Sequence, residues 1–336
     1  MDEGGCPANI VDVYRCACAA CTFVTQIGSR APLATTTSKE YGVTQTVPDT
    51  DQAGLEQALT DEVVASFATS PSDRYRELMT SLVRHLHAFA RDVRLSQAEW
   101  ETAISFLTRT GHITDDRRQE FILLSDVLGL SMLTVGINAP LSEGATESTV
   151  FGPFFVDDAP EIPLGGDLAQ GANGTPCWVS GQVRSVDGSP LAGVRVDAWE
   201  ADEDGFYDTQ YEGDRIAGRG WQCTGPGGEY RFWSVRPSSY PVPTDGPVGE
   251  LIAAAGRRPM RPAHLHLMVT APGYRTLITH VFAAGDEHLD RDAVFGVKDS
   301  LIREFAEHHG GSAPDGTPQD GRWASIEFDL VLVPLG

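Results

Sequence analysis

The chain has 336 residues, 41% hydrophobic and 21% charged, the balance of a globular protein large enough for more than one structural unit. Its formal net charge of −22 excludes a nucleic-acid footprint, because phosphate binding depends on clustered Lys and Arg. No uninterrupted apolar run approaches the length that spans a bilayer.

Residues 1–54 show no steady helical or strand period and are rich in Thr, Ala and Gly, so they read as a disordered extension outside the fold. Cys6, Cys16, Cys18 and Cys21 crowd into this stretch, while Cys177 and Cys223 lie far downstream. That is no disulfide framework for the whole chain, and no basic region leads into a sustained apolar block, so a cytoplasmic setting is expected. Cys16-x-Cys18-x-x-Cys21 could hold a metal with Cys6, but no second arm of Cys or His lies nearby.

Residues 55–145 form a helical domain. Leu78, Leu82, Leu86 and Phe89 follow the rhythm of one apolar stripe. Ser96-Gln97-Ala98-Glu99 is a capping box that opens a second helix, with Trp100, Ile104 and Leu107 expected on its buried side. Phe121, Leu124 and Leu128 mark a third, after Gly111 and Thr114-Asp115-Asp116. These helices can pack on the body of the protein or against a second copy of themselves.

From residue 146 onward the chain reads as short strands divided by Gly and Pro turns, clearest over Val179–Arg184, Val194–Glu200, Glu229–Val235, Leu265–Thr270, Leu277–Phe282 and Ile326–Val333. The expected class is mainly β with an N-terminal helical segment, its core an antiparallel β-sandwich over residues 146–336. Leu301, Ile302 and Phe305 predict a helical interruption near Lys298–His308.

In Arg261-Pro262-Ala263-His264-Leu265-His266-Leu267-Met268-Val269 the apolar residues alternate, which turns His264 and His266 to the other face of a strand, side by side. Two imidazoles so placed are a ready pair of metal ligands, although an isolated pair is more simply two solvated histidines. Upstream stand Gly205-Phe206-Tyr207, after an acidic turn, and Tyr240-Pro241-Val242-Pro243. A metal-free β-sandwich binding module with a helical dimerisation arm would explain the strands and helices, but not two tyrosines and two histidines in this order. A zinc hydrolase fits less well, because zinc rarely takes tyrosinate and no Glu-based water activator is evident.

With these motifs in view, residues 56–336 resemble the intradiol ring-cleaving dioxygenases. Gly181 to Tyr207, through Val194-Arg195-Val196-Asp197-Ala198-Trp199-Glu200, is similar to that family's signature. The resemblance implies a non-haem Fe(3+) ion held by Tyr207, Tyr240, His264 and His266, with hydroxide as a fifth ligand. It also implies a dimer joined through the helical domain, with a phospholipid in an apolar tunnel at that joint. Phenolates are hard donors that favour iron(III), and with hydroxide they balance its charge. In the family mechanism hydroxide and the axial tyrosinate, matched by Tyr240, take the two protons of the diol. Tyr240 then leaves, and O2 attacks the activated ring. Arg261 matches the family's arginine beside the ring, where its planar cation can stabilise developing charge.

Which diol is cleaved rests on further positions. Val150, Phe151, Gly152, Pro153 and Phe154 resemble the loop that lines the ring pocket, and Leu123 and Asp126 match positions facing the substrate. A carboxylate aimed at an apolar ring is a desolvation cost, which a third ring hydroxyl would offset. His280 stands where catechol-cleaving relatives usually have glutamine, and Val294, Val242 and Pro243 are expected to contact the ring. The branch indicated is the one acting on hydroxyquinol (benzene-1,2,4-triol), with catechol or chlorocatechol as the alternative.

Overall fold

Three helices begin the described chain: α1 Gln52–Ser66, α2 Asp73–Asp92 and α3 Gln97–His112. The computed structural model describes residues 51–115, 118–213 and 215–335, so the cysteine-bearing stretch and Asp116 lie outside the described residues. The chain divides into two units, one of Cys18–Leu107 and one that includes Thr108–Gly336, with the last turn of α3 in the second.

In the first unit the side chain of Thr60 is buried, 2.9 Å from His87 Nδ1, and accepts from Arg91 Nη1 at 2.7 Å, which fastens α1 to α2. The capping box forms: Glu99 Oε2 accepts from the Ser96 amide at 2.9 Å, and Ser96 Oγ accepts from the Glu99 amide at 3.3 Å. The apolar stripe of α2 is present, but it faces outward, with Leu82 49% and Phe89 55% exposed. Trp100, Ile104 and Leu107 of α3 are also exposed, contrary to the expectation of a buried side. Helical periodicity marks an apolar face without saying what covers it.

The second unit continues with α4 Glu120–Val127 and α5 Leu130–Asn138, turned at Gly129, whose φ of +74° suits glycine. A five-stranded sheet is built from β1 Pro176–Ser185, β4 Glu229–Val235, β10 Ala306–Ser312, β11 Pro318–Glu327 and β12 Leu330–Leu332. A second contains β2 Arg195–Trp199, β3 Arg219–Cys223, β7 His264–Thr270, β8 Leu277–Ala283 and β9 Ile302–Arg303, in the order β3-β2-β7-β8-β9. Val179, Val183 and Ile326 from the first sheet meet Val196, Leu265, Leu267 and Val281 from the second in one buried core. The two-stranded ladder of β5 Tyr240–Pro241 and β6 Met260–Arg261 stands apart, and α6 Pro247–Ala254 lies between its strands in sequence.

Three expectations are corrected. The sheets are mixed rather than antiparallel, because β1 runs parallel to β11 and β12, and β8 parallel to β9. The single strand expected over Ile326–Val333 breaks into two. Phe328 donates to Ser180 O at 2.8 Å and Asp329 caps the Gln182 amide at 2.8 Å, so the chain steps sideways along β1. Gly181 allows that crossing, since a β-carbon there would stand 2.0 Å from Phe328 O. Finally, no helix forms over Lys298–His308. A short 3-10 turn at Asp299–Leu301 leads into β9 and β10, with Leu301 reaching the core from the end of that turn and Phe305 from the link between the two strands.

Candidate metal centre

Strand β7 alternates as its residues require: Leu265, Leu267 and Val269 enter the inter-sheet core, and His264 and His266 turn to the opposite face. That face is also buried, with each histidine 2% exposed. Aromatic side chains from the loop before β1 help to cover it. Trp199 stacks on the His266 ring at 4.7 Å, Phe151 and Phe155 pack edge-on against Trp199, and Gly152 brings its backbone so close that a β-carbon would meet His266 Cε1 at 3.2 Å.

Tyr207 is fixed by the loop after β2. Asp202 Oδ1 accepts from the Asp204 and Phe206 amides, and Gln210 Oε1 accepts from the Tyr207 amide at 2.9 Å. The neighbouring Asp208 carboxylate takes Arg219 Nε at 2.6 Å, and the Tyr207 ring stacks on Phe154 at 4.4 Å. Gly205, at φ +83°, turns this loop and lies against Tyr240, where a β-carbon would stand 2.8 Å from Tyr240 Cβ. Tyr240 arrives from another direction, paired with Arg261 across the β5–β6 ladder.

Four donor atoms converge. Tyr207 Oη is 2.9 Å from Tyr240 Oη and 2.9 Å from His266 Nε2, while Tyr240 Oη lies 3.4 Å from His264 Nε2. The two histidine Nε2 atoms are 3.1 Å apart. His264 Nδ1 donates to Pro262 O at 2.7 Å, which leaves its Nε2 as a lone pair aimed inward. Burial, with Arg261 next, holds His264 down to about 3, and burial with His264 beside it holds His266 well below the usual imidazole range. Both rings are therefore neutral. Burial also raises both phenols, Tyr207 further through its contact with Tyr240. A cluster of inward lone pairs and phenol oxygens suits a hard cation, whose charge would draw the phenol protons off and relieve the crowding. His280 lies opposite His266 in the β7–β8 register, its ring 4.1 Å from that of His266, and could also offer a ligand atom.

Arg261 is 3% exposed, its Nη1 3.1 Å from His264 Nε2 and its Nε 3.1 Å from Asp292 Oδ1. Burial opposes the guanidinium charge, but Asp292 and Tyr240 outweigh it and raise its affinity for the proton. Asp292 also accepts from the Val294 and Gly296 amides, which pins the loop that carries Val294. Asp126, 2% exposed on α4, is pushed up to about 6 by burial, against the pull of Ser131 and Arg261.

A cleft of about 650 Å³ is lined by Leu123, Pro153, Phe154, Val242 and Pro243, together with Gly205. Val150, Asp126, Arg261, His280 and Val294 are buried and take no part in its wall. Sequence reading did not single out Asp292, Gln210 or Trp199 as supports of the centre. Trp199 lies within the signature stretch, but the supporting role of each comes from a contact made only on folding.

The Dioxygenase family model matches residues 150–334, and the model for the catechol dioxygenase N terminus matches residues 72–146. Hydroxyquinol 1,2-dioxygenase of Rhodococcus opacus is 58% identical over 287 residues, covering 84% of this chain and 96% of the relative. Among solved structures, hydroxyquinol 1,2-dioxygenase from Pseudomonas putida DLL-E4 is similar with a TM-score of 0.76 and 42% identity, over 84% of this chain and all (100%) of that one. Catechol 1,2-dioxygenase from Pseudomonas arvilla C-1 aligns with a TM-score of 0.72 and 28% identity, over 86% and 94% of the two chains.

Proposed function

We propose, from the premise that the chain belongs to the intradiol ring-cleaving dioxygenases, that it opens the ring of hydroxyquinol between the two adjacent hydroxyls, with O2, to give 3-hydroxy-cis,cis-muconate. The observation that carries the choice of substrate is Asp126, a buried carboxyl that hydrogen-bonds Ser131, feels the charge of Arg261 and keeps further acceptor capacity. The third hydroxyl of hydroxyquinol would give it a partner that catechol lacks.

Tyr207, Tyr240, His264 and His266 are the inferred ligands of an iron(III) ion. When bound, that ion supplies Lewis-acid activation of the diol toward O2. The chain's own residues do the remainder. Tyr240 Oη, as phenolate, accepts one diol proton. Tyr207, stacked on Phe154 and tethered through Gln210, keeps its position. Arg261 faces the ring with a charge fixed by Asp292, and stabilises the negative charge that develops on the diol. Leu123, Val242, Pro243 and Val294 would pack on the ring, and the Val150–Phe154 loop excludes water from the histidines. His280 belongs to this set as the residue behind His266.

Residues 55–145 are read as a dimerisation domain and residues 146–336 as the catalytic domain. The exposed apolar stripe of α2 supports a homodimer through the helices, with a phospholipid able to share that surface. Among the described residues no single helix is long and apolar enough to cross a membrane, and a cytoplasmic enzyme is our reading.

An absorption spectrum before and after anaerobic addition of hydroxyquinol, with catechol in parallel, tests the function. A visible tyrosinate-to-iron band that shifts at lower hydroxyquinol than catechol concentration is expected. A colourless protein with negligible iron after iron(III) reconstitution would overturn the reading, and tighter catechol binding would transfer it to the catechol branch.

A further inference from the structure

Helices α4 and α6 are tied together at both ends. At their starts, Glu120 Oε1 accepts from the Val248 amide at 3.1 Å, and Arg118 joins Glu120 to Asp245. At their ends the tie is Arg257. The chain leaves α6 through Gly256, at φ +64°, and the Arg257 amide closes back on Ile252 O at 3.0 Å. This turn aims the guanidinium across the gap between two segments distant in sequence.

Arg257 Nη1 donates to Val127 O at 2.6 Å, and Nη2 donates to Ala293 O at 2.7 Å. Val127 ends α4 and follows Asp126. Ala293 precedes Val294 in the loop pinned by Asp292. One planar cation thus spans the helix that carries Leu123 and Asp126 and the loop that carries Val294. The helix end suits a cation, because its last carbonyls carry partial negative charge. Phe295 adds to the arrangement. Its φ is +60°, a left-handed conformation that a bulky aromatic residue rarely adopts, and its ring lies 4.9 Å from the Arg257 guanidinium carbon. Outside Arg257 is a cleft of about 570 Å³, lined also by Ala293 and Phe295. On that side the gap is braced by the two Arg257 hydrogen bonds and by the Phe295 ring, which a β-carbon at Gly129 would meet at 3.5 Å.

We propose that Arg257 is a positioning residue that sets the separation of the Asp126 helix from the Val294 loop, and so determines which substituent on the diol ring is accepted. The proposal rests on the functional reading above, in which Asp126 and Val294 face the ring. Arg257 itself touches neither substrate nor metal ligands. With both carbonyls held by one rigid group, Asp126 is kept at the distance that serves a third hydroxyl. Without it the two walls relax, and a bulkier, apolar substituent is admitted at the expense of the hydroxyl.

The test uses R257A and R257M in the full chain loaded with iron, with hydroxyquinol, catechol and 4-methylcatechol as probes. Dissociation constants are measured by anaerobic calorimetry and kcat/KM by oxygen uptake. The expected result is a fall of about fivefold or more in the preference for hydroxyquinol over 4-methylcatechol, seen in binding as well as turnover. R257K, which restores the charge and several donors, should recover part of it. Folded, iron-replete variants that keep the wild-type preference within about twofold would overturn the proposal, as would an equal loss for every diol. Failure of both R257A and R257M to fold would assign Arg257 to stability and overturn it too. If the wild-type enzyme favours catechol, the functional reading fails separately, and Arg257 is judged on the change in preference between wild type and variant.

Discussion

Arg261 and Asp292 form an ion pair closed off from solvent, with Nε 3.1 Å from Oδ1 and both side chains at most 4% exposed. The same carboxylate receives the amides of Val294 and Gly296, and the same guanidinium reaches His264. A charge beside the histidines and the loop that carries Val294 are thus held by one acidic residue. Removing one member of a buried pair leaves the other uncompensated, at a cost of about 3 to 5 kcal/mol. Asp292→Ala is expected to lose stability on that scale by chemical denaturation, and to lose kcat/KM through misplacement of Arg261.

The acid limb of stability follows from the same residue. Burial raises Asp292's pKa, but Arg261 overcomes that and holds it below the ordinary carboxylate range. A depressed folded-state value stabilises the protein at pH above the unfolded carboxylate value, about 4. That contribution disappears as pH falls through the folded value. Denaturant midpoints measured from pH 5 down to pH 2 should fall in the wild type, and fall less steeply in Asp292→Asn.

The histidines act in the same direction at higher pH. His264, held down to about 3 by burial and Arg261, stays neutral in the folded chain while the unfolded chain takes up a proton below about 6.5. Native metal-free protein should therefore lose stability as pH falls from about 6.5 toward 3, by up to about 1.4 kcal/mol per pH unit for each such group. His266 and His280 are shifted the same way, chiefly by burial. Urea melts of the iron-stripped protein at pH 7 and pH 5 check this, and His264→Asn should flatten the slope.

Tyr207→Phe and His266→Ala each remove a donor from the proposed centre. Both are expected to reduce iron content and abolish the visible band, and turnover should drop by about a hundredfold or more. Metal analysis beside the spectrum decides the point. Full iron and full turnover in either variant would remove that residue from the ligand set.

Asp126 gives a prediction on substrate choice. Its value of about 6, raised by burial, means the carboxylate form gains as pH rises through 6. A charged acceptor bonds a hydroxyl more strongly than a neutral one by roughly 1 kcal/mol. Preference for hydroxyquinol over catechol should rise about three- to fourfold between pH 5 and pH 7, and Asp126→Asn should abolish that dependence. Competition kinetics with the two diols at each pH would measure it.

Much of the site was legible because it depends on local order. Strand period put His264 and His266 on one face, and Gly205-Phe206-Tyr207 and Tyr240-Pro241 are local motifs. The sequence did not reveal the stacking of Trp199 on His266, the Asp292 clamp or the Arg257 bridge, since each joins segments far apart in the chain. The Lys298–His308 error has a similar origin. Leu301 and Phe305 are spaced as on a helix face, yet pairing of Ile302 and Arg303 with β8 holds the backbone extended. Trp100, Ile104 and Leu107 show the opposite limit, an amphipathic face correctly located and left uncovered within one chain.

Gly205 sits in an acidic turn where substitutions are ordinarily well tolerated. Its α-carbon nevertheless abuts the root of Tyr240, and even an alanine methyl would intrude there. During divergence this turn is thus bound to the fate of a remote phenol: the glycine can be exchanged only if Tyr240 shifts with it.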